Sequence, residues 1–198
     1  MNKSPRRFGA LAAALVLAAC QPSASAPAEG PLAGARIGGP FALTDQDGKP
    51  VTDKDFAGRY RIMYFGYTFC PDVCPVDLQK IGAGMKALEV SDPAVAQKIT
   101  PVFVTVDSKR DTAPVLKEFV GNFYPRMIGL GGSPAAIDTV AKEYGVYYQL
   151  HEPNAQGAYM VDHSRQAVLF GPDGKPIALV PTDKTPDEIA TELKRWVA

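Results

Sequence analysis

The run Arg61-Ile62-Met63-Tyr64-Phe65-Gly66-Tyr67-Thr68-Phe69-Cys70-Pro71-Asp72-Val73-Cys74-Pro75 carries the information that decides the fold. Its first seven residues form a short apolar stretch suited to a buried central strand. Val76, Leu78, Ile81, Met85 and Leu88 then recur at helical spacing, although Gly82 and Gly84 weaken that helix. Cys70 and Cys74 therefore fall where a strand ends and a helix begins. A helix N-terminus favours thiolate, the form of cysteine that binds soft metals or attacks disulfides. On a helix the i, i+4 spacing places both sulfurs on one face, and if Cys70 lies in the preceding loop the two can still approach closely. Pro71 and Pro75 stiffen the turn without removing donors the helix needs. In an oxidising compartment the plain alternative is a structural disulfide. Such a bridge would close almost no loop and stabilise little, so the pair reads as functional. It could handle metal, electrons or peroxide.

Outward from this run the pattern is regular. Phe41–Thr44 and Lys49–Thr52 flank an Asp-Gly turn and read as a hairpin. Ile99–Val106 is a second buried strand, ending at Asp107. Leu116, Phe119, Val120 and Phe123 mark a helix, Met127–Leu130 a brief strand, and Ser133-Pro134 the capped start of another helix. Strands are expected over Val146–Leu150 and Ala158–Asp162. A hairpin follows at Ala167–Phe170 and Pro176–Val180, and the capping box Thr185-Pro186-Asp187-Glu188 opens a final helix. Successive βαβ units followed by an antiparallel hairpin and a helix give an α/β, thioredoxin-like sheet with an N-terminal hairpin and an insertion before the C-terminal hairpin. In open parallel sheets, chemistry gathers at the C-terminal ends of the strands, which here carry Cys70 and Asp107.

The N-terminal part reads as export machinery. Lys3, Arg6 and Arg7 precede an apolar segment, Phe8–Ala19, too short to span a bilayer. Leu17-Ala18-Ala19-Cys20 resembles a bacterial lipobox, so residues 1–19 are expected to be a lipoprotein signal peptide and Cys20 the lipidated residue. An uncleaved anchor or an ordinary signal cut near Ala19 is the alternative. Residues 20–39, rich in Ala, Pro, Ser and Gly, are expected to be a flexible tether, leaving 40–198 as one globular domain. The sequence has 21 basic and 21 acidic residues. Removal of the leader takes away only basic ones and leaves a mildly acidic chain. No basic block argues for nucleic acid.

His163 lies in the run Tyr159-Met160-Val161-Asp162-His163-Ser164, and an imidazole could complete a two-sulfur, one-nitrogen site that holds divalent copper. From its position alone, His163 reads more readily as a surface histidine at a strand end. His151 sits in a polar loop and reads as solvated. Met160 should face away from His163 if the strand alternates, and so reads as core. Thioredoxin-type oxidoreductases carry CxxC and a facing cis-proline, and no proline occurs between Gly157 and Gly171. Peroxidases of the Pro-x-x-x-Thr-x-x-Cys type need threonine three residues before cysteine, whereas Thr68 lies two before Cys70.

Gly66–Pro75, Val106-Asp107-Ser108-Lys109-Arg110-Asp111-Thr112 and Tyr159–Ser164 together resemble the Sco/SenC family of copper chaperones, over the region from about Phe41 onward and with the three motifs in the family's order. The resemblance implies a thioredoxin-like, membrane-tethered protein that delivers copper to the dinuclear copper site of cytochrome c oxidase. It carries the ligand role to Cys70, Cys74 and His163, and overrides the positional reading of His163. Copper(I), copper(II) or both are the implied cargo. The implied partners are the copper-site subunit of the oxidase and other periplasmic copper carriers. With the lipobox, the chain is expected to be lipid-anchored in the cell envelope and facing the periplasm, and it is taken as a monomer. Asp72, Asp77, Asp107 and Asp162 are candidates for a fourth, oxygen ligand. Asp107, Arg110 and Asp111 read as an ion-paired loop beside the site. The chain reads as a metallochaperone more than as an enzyme, with thiol–disulfide exchange at Cys70 and Cys74 as the alternative activity.

Overall fold

A computed structural model describes Met1 and residues 29–197. The leader and the lipobox cysteine Cys20 lie outside the described residues. Among the described residues no helix is long and apolar enough to cross a membrane.

Strands β1 (Ala42–Asp45) and β2 (Pro50–Thr52) form the expected hairpin, followed by one 3-10 turn at Asp53–Phe56 that the sequence reading lacks. Strand β3 (Tyr60–Gly66) leads into helix α1 (Val73–Ser91), a short helix α2 (Pro93–Lys98) and strand β4 (Ile99–Thr105). Helix α3 (Ala113–Gly121), strand β5 (Ile128–Gly131) and helix α4 (Pro134–Glu143) complete the parallel half. Next come β6 (Tyr148–Leu150) and β7 (Val161–His163), then β8 (Ala167–Phe170), β9 (Pro176–Leu179) and helix α5 (Pro186–Trp196).

Seven strands form one sheet in the order β2-β1-β5-β4-β3-β8-β9, while β6 and β7 pair apart from it as a two-stranded ribbon. β3, β4 and β5 are parallel neighbours, and β8 joins β3 antiparallel, Tyr64 facing Ala167. This is the expected thioredoxin-like sheet, with the β6–β7 ribbon as the insertion. All seven residues of β3 and all seven of β4 are buried, as central strands covered on both faces must be. Arg61 is accommodated there because its guanidinium lies between the rings of Phe56 and Phe170 and donates to the Tyr144 hydroxyl at 3.2 Å.

The two glycines that weaken α1 in isolation are close-approach points. A Cβ on Gly84 would lie 2.4 Å from Ile189 of α5, and one on Gly82 would lie 2.5 Å from the Phe123 carbonyl oxygen. Helix propensity alone would make Gly82→Ala stabilising by about 1 kcal/mol. The backbone at Phe123 cannot yield as a side chain could. Gly82→Ala is therefore expected to destabilise by roughly 1–3 kcal/mol, seen as a lower denaturation midpoint in urea.

Residues at the end of the proposed tether belong to the folded body. The Leu32 N–H donates to the Ile177 carbonyl at 3.0 Å and the Gly38 N–H to that of Glu143 at 2.8 Å. Leu32 and Ile37 pack against the core. The folded body thus begins ahead of residue 40, at least as far back as Leu32.

Candidate metal centre

The centre is built where β3 stops. After Gly66 the chain turns so that the Cys70 N–H donates to the Tyr67 carbonyl at 3.3 Å, and α1 begins at Val73. The Asp72 side chain, at the capping position, makes no capping hydrogen bond. The Cys70 sulfur stands in its place and accepts the Cys74 backbone N–H at 3.5 Å. Cys70 is half-buried, and Cys74, on the first turn of the helix, is fully buried. Both are free thiols. The space for the Cys74 sulfur exists because residue 66 is glycine: a Cβ there would lie 2.7 Å from Sγ.

His163 arrives on β7, held opposite Tyr148 of β6. Its Nε2 lies 3.0 Å from the Cys74 sulfur, and its Nδ1 lies 3.0 Å from the Ser164 carbonyl. A carbonyl only accepts, so Nδ1 carries the proton and Nε2 presents its lone pair to the cysteines. The rings of Tyr64 and Tyr67 meet the imidazole edge-on, with centroids 6.3 and 5.9 Å away. The ligand atoms of Cys70, Cys74 and His163 all lie within 4.8 Å of one another, and among the described residues this is the one cluster of its kind. Two soft sulfurs and one imidazole nitrogen converging on one point suit copper in either common oxidation state.

Burial sets the electrostatics. It pushes the Cys74 thiol well above its ordinary range, and the Cys70 sulfur beside it acts in the same direction. The helix terminus does not by itself make Cys74 a thiolate, contrary to the expectation from sequence. A bound cation would supply the missing stabilisation. Burial also raises the Tyr64 hydroxyl, with the neighbouring Cys74 and Asp77 adding to the effect.

Three of the four candidate oxygen ligands are committed elsewhere. The Asp77 carboxylate is held by Arg165 and Tyr64. Asp107 is fully buried, pairs with the Arg110 Nε and accepts the Tyr159 hydroxyl at 2.7 Å. Asp162 precedes His163 on the strand, so it faces the other way, and it pairs with exposed His151 at 2.9 Å. Asp72 alone remains exposed and without a side-chain cap bond.

The 107–111 loop braces the site: Asp107 and Arg110 form the expected ion pair, whereas Asp111 is bonded to threonines rather than to a cation. Asp111 accepts the Thr68 N–H at 2.9 Å and the Thr68 hydroxyl at 2.6 Å, fixing the turn that carries Cys70. The Arg110 guanidinium lies 3.6 Å from the Tyr159 ring centroid and donates to the Tyr159 carbonyl. Met160 departs from expectation: it is half exposed and its sulfur lies 3.9 Å from the Tyr67 hydroxyl. β7 starts only at Val161, so strand alternation does not govern Met160. Tyr67, Thr68 and Tyr159 fall inside the quoted motifs and Tyr64 just ahead of the first, yet the sequence reading gave them no role at the centre.

Residues 29–198 match the SCO1/SenC family model. Protein SenC of Rhodobacter capsulatus is 41% identical over 161 residues, covering 81% of this chain and 71% of SenC. The mitochondrial SCO1 homolog of Homo sapiens is 37% identical over 157 residues, covering 79% of this chain and 52% of that protein. The match with the mitochondrial SCO1 homolog 1 of Arabidopsis thaliana, 44% identical over 146 residues, covers 73% of this chain and 42% of that protein. The chain thus spans about half the length of these mitochondrial relatives. Among solved structures, copper-bound ScoI of Bradyrhizobium japonicum superposes with a TM-score of 0.74 at 40% identity, covering 81% of this chain and 99% of that one. Copper-bound yeast Sco1 gives 0.73 at 31% identity, with 80% and 86% covered. With its three motifs gathered at one end of a shared fold, the chain belongs to the SCO1/SenC family.

Proposed function

We propose that this protein is a copper chaperone that carries the metal on Cys70, Cys74 and His163 and passes it to the dinuclear copper site of cytochrome c oxidase. The observation that carries this reading is the convergence of two thiol sulfurs and an imidazole nitrogen within 4.8 Å. The copper bound to the ScoI and yeast Sco1 relatives supports it. Cys70, half-buried at the rim, is the ligand an incoming donor or acceptor can reach. Cys74, fully buried, lies behind it, and His163 is half-buried like Cys70. Ligand exchange begins at the rim sulfur and ends when Cys74 lets go. Acylation at Cys20 would hold the domain on a membrane of the cell envelope, beside the oxidase.

The deciding experiment is a copper(II) titration of the reduced full-length protein, recorded by absorption and electron spin resonance, with His163→Ala alongside. A one-to-one species with sulfur-to-copper charge transfer is expected, and it should collapse in His163→Ala. Copper(I), which two thiolates can hold alone, should still bind the variant. Identical spectra from both proteins would remove His163 from the centre.

A second reading rests on the two free thiols within that same cluster: a thiol–disulfide reductase that keeps target cysteines ready for metal. It requires both cysteines and is indifferent to His163. Oxidation of wild type and His163→Ala to the same disulfide, with no metal retained, would favour it.

A further inference from the structure

A buried carboxylate sits directly behind the metal centre without belonging to it. Asp77 lies on α1, three residues after Cys74, and is fully buried. Tyr64 of β3 donates its hydroxyl to Asp77 Oδ2 at 2.9 Å. Arg165 closes on the same carboxylate with two parallel bonds, Nε to Oδ2 at 3.0 Å and Nη2 to Oδ1 at 2.8 Å. Arg165 is two residues beyond His163, in the short connection from β7 to β8, and its side chain is 55% exposed. The carboxylate is internal and fixed, while the arginine comes to it from the surface.

β7 is three residues long and pairs only with three-residue β6, outside the main sheet. Such a ribbon fixes its own register but not its distance from α1. Something else must hold His163 Nε2 at 3.0 Å from the Cys74 sulfur. The fork between Arg165 and Asp77 ties the His163 segment to the very helix turn that carries Cys74. Bidentate guanidinium–carboxylate pairs constrain direction as well as distance. Tyr64 completes the tie, since its ring packs edge-on to the imidazole and its hydroxyl shares the carboxylate.

We propose that the Asp77–Arg165 pair is a positioning latch that holds His163 over the cysteine pair, and so sets how strongly the centre binds copper(II) relative to copper(I). This inference rests on the copper reading above. Two thiolates can hold copper(I) alone, whereas copper(II) needs the imidazole. Releasing the latch should therefore weaken the two states unequally.

The test compares the full-length, reduced wild-type protein with Arg165→Met, Arg165→Lys, the double variant Asp77→Leu/Arg165→Met, and His163→Ala. Competition with chelators gives the copper(II) and copper(I) affinities. Electron spin resonance gives the nitrogen coupling, and NMR of the copper-free proteins gives the His163 ring resonances. Arg165→Met should bind copper(II) roughly 10- to 100-fold more weakly, the usual cost of losing a partner behind a metal ligand. Its nitrogen coupling should fall toward that of His163→Ala, with copper(I) affinity little changed. Arg165→Lys, which offers a charge but no fork, should recover part of the loss. The double variant leaves no stranded carboxylate to disturb folding, and it should show the same selective loss with shifted ring resonances. Wild-type copper(II) binding and unmoved ring resonances in the double variant would overturn the latch. If wild type itself binds no copper, the chaperone reading fails, while the ring resonances still decide the latch.

Discussion

Cys74→Ser is expected to leave a folded protein that retains no copper in either oxidation state. The substitution keeps the size of the side chain and a hydroxyl that can donate to His163 Nε2, where the thiol now lies at 3.0 Å. The loss in stability should stay near 1 kcal/mol, the scale of one altered hydrogen bond. What disappears is the soft sulfur at the inner end of the centre. Cys70 and His163 alone give copper(I) one thiolate and one imidazole, with no second sulfur to displace competing thiols. After loading and desalting, metal analysis should find about one copper per wild-type chain and almost none on Cys74→Ser. Retention of copper at wild-type strength would move the site away from α1.

Gly66→Ala should produce the other large effect, on stability and on copper at once. The added methyl carbon would lie 2.7 Å from the Cys74 sulfur and 3.2 Å from both the Phe103 and Tyr64 rings. Cys74 has no room to retreat, because it is fully buried on the first turn of α1. Overpacking at such a point costs roughly 1–3 kcal/mol. The displaced sulfur also loses its alignment with His163 Nε2, so weaker copper(II) binding should accompany the lower melting temperature. A double-mutant cycle with Cys74→Ala separates the causes. If the clash is with Sγ, Gly66→Ala should be nearly silent in the Cys74→Ala background. Equal destabilisation in both backgrounds would place the clash on the rings instead.

The sheet was legible because β3 and β4 are buried on both faces, and burial writes an uninterrupted apolar run into the sequence. The helix starts at Ser133-Pro134 and Thr185-Pro186-Asp187-Glu188 were equally plain, since a cap is a local hydrogen bond between near neighbours. The cysteines could be placed for the same reason, lying between a strand end and a helix start. His163 could not be placed that way. Its approach to Cys74 spans 89 positions and depends on the Tyr148–His163 pairing in a ribbon with no periodic signature. Only the family resemblance brought it in. Asp77 misled because an acid near a helix N-terminus has an ordinary local explanation, while its partner Arg165 lies 88 positions away. Residues 29–39 read as a tether because their composition is that of one, and the two anchoring side chains, Leu32 and Ile37, are too few to show a period.

Those two anchors also limit where the protein can work. If Cys20 carries the lipid, as proposed, the first anchor of the folded body lies only twelve residues on, at Leu32. Twelve residues drawn fully taut cover at most about 40 Å, against about 65 Å for a tether running to residue 39. On that proposal the body would stay close to the membrane surface, and its acceptor would have to offer its own metal site to a domain held there.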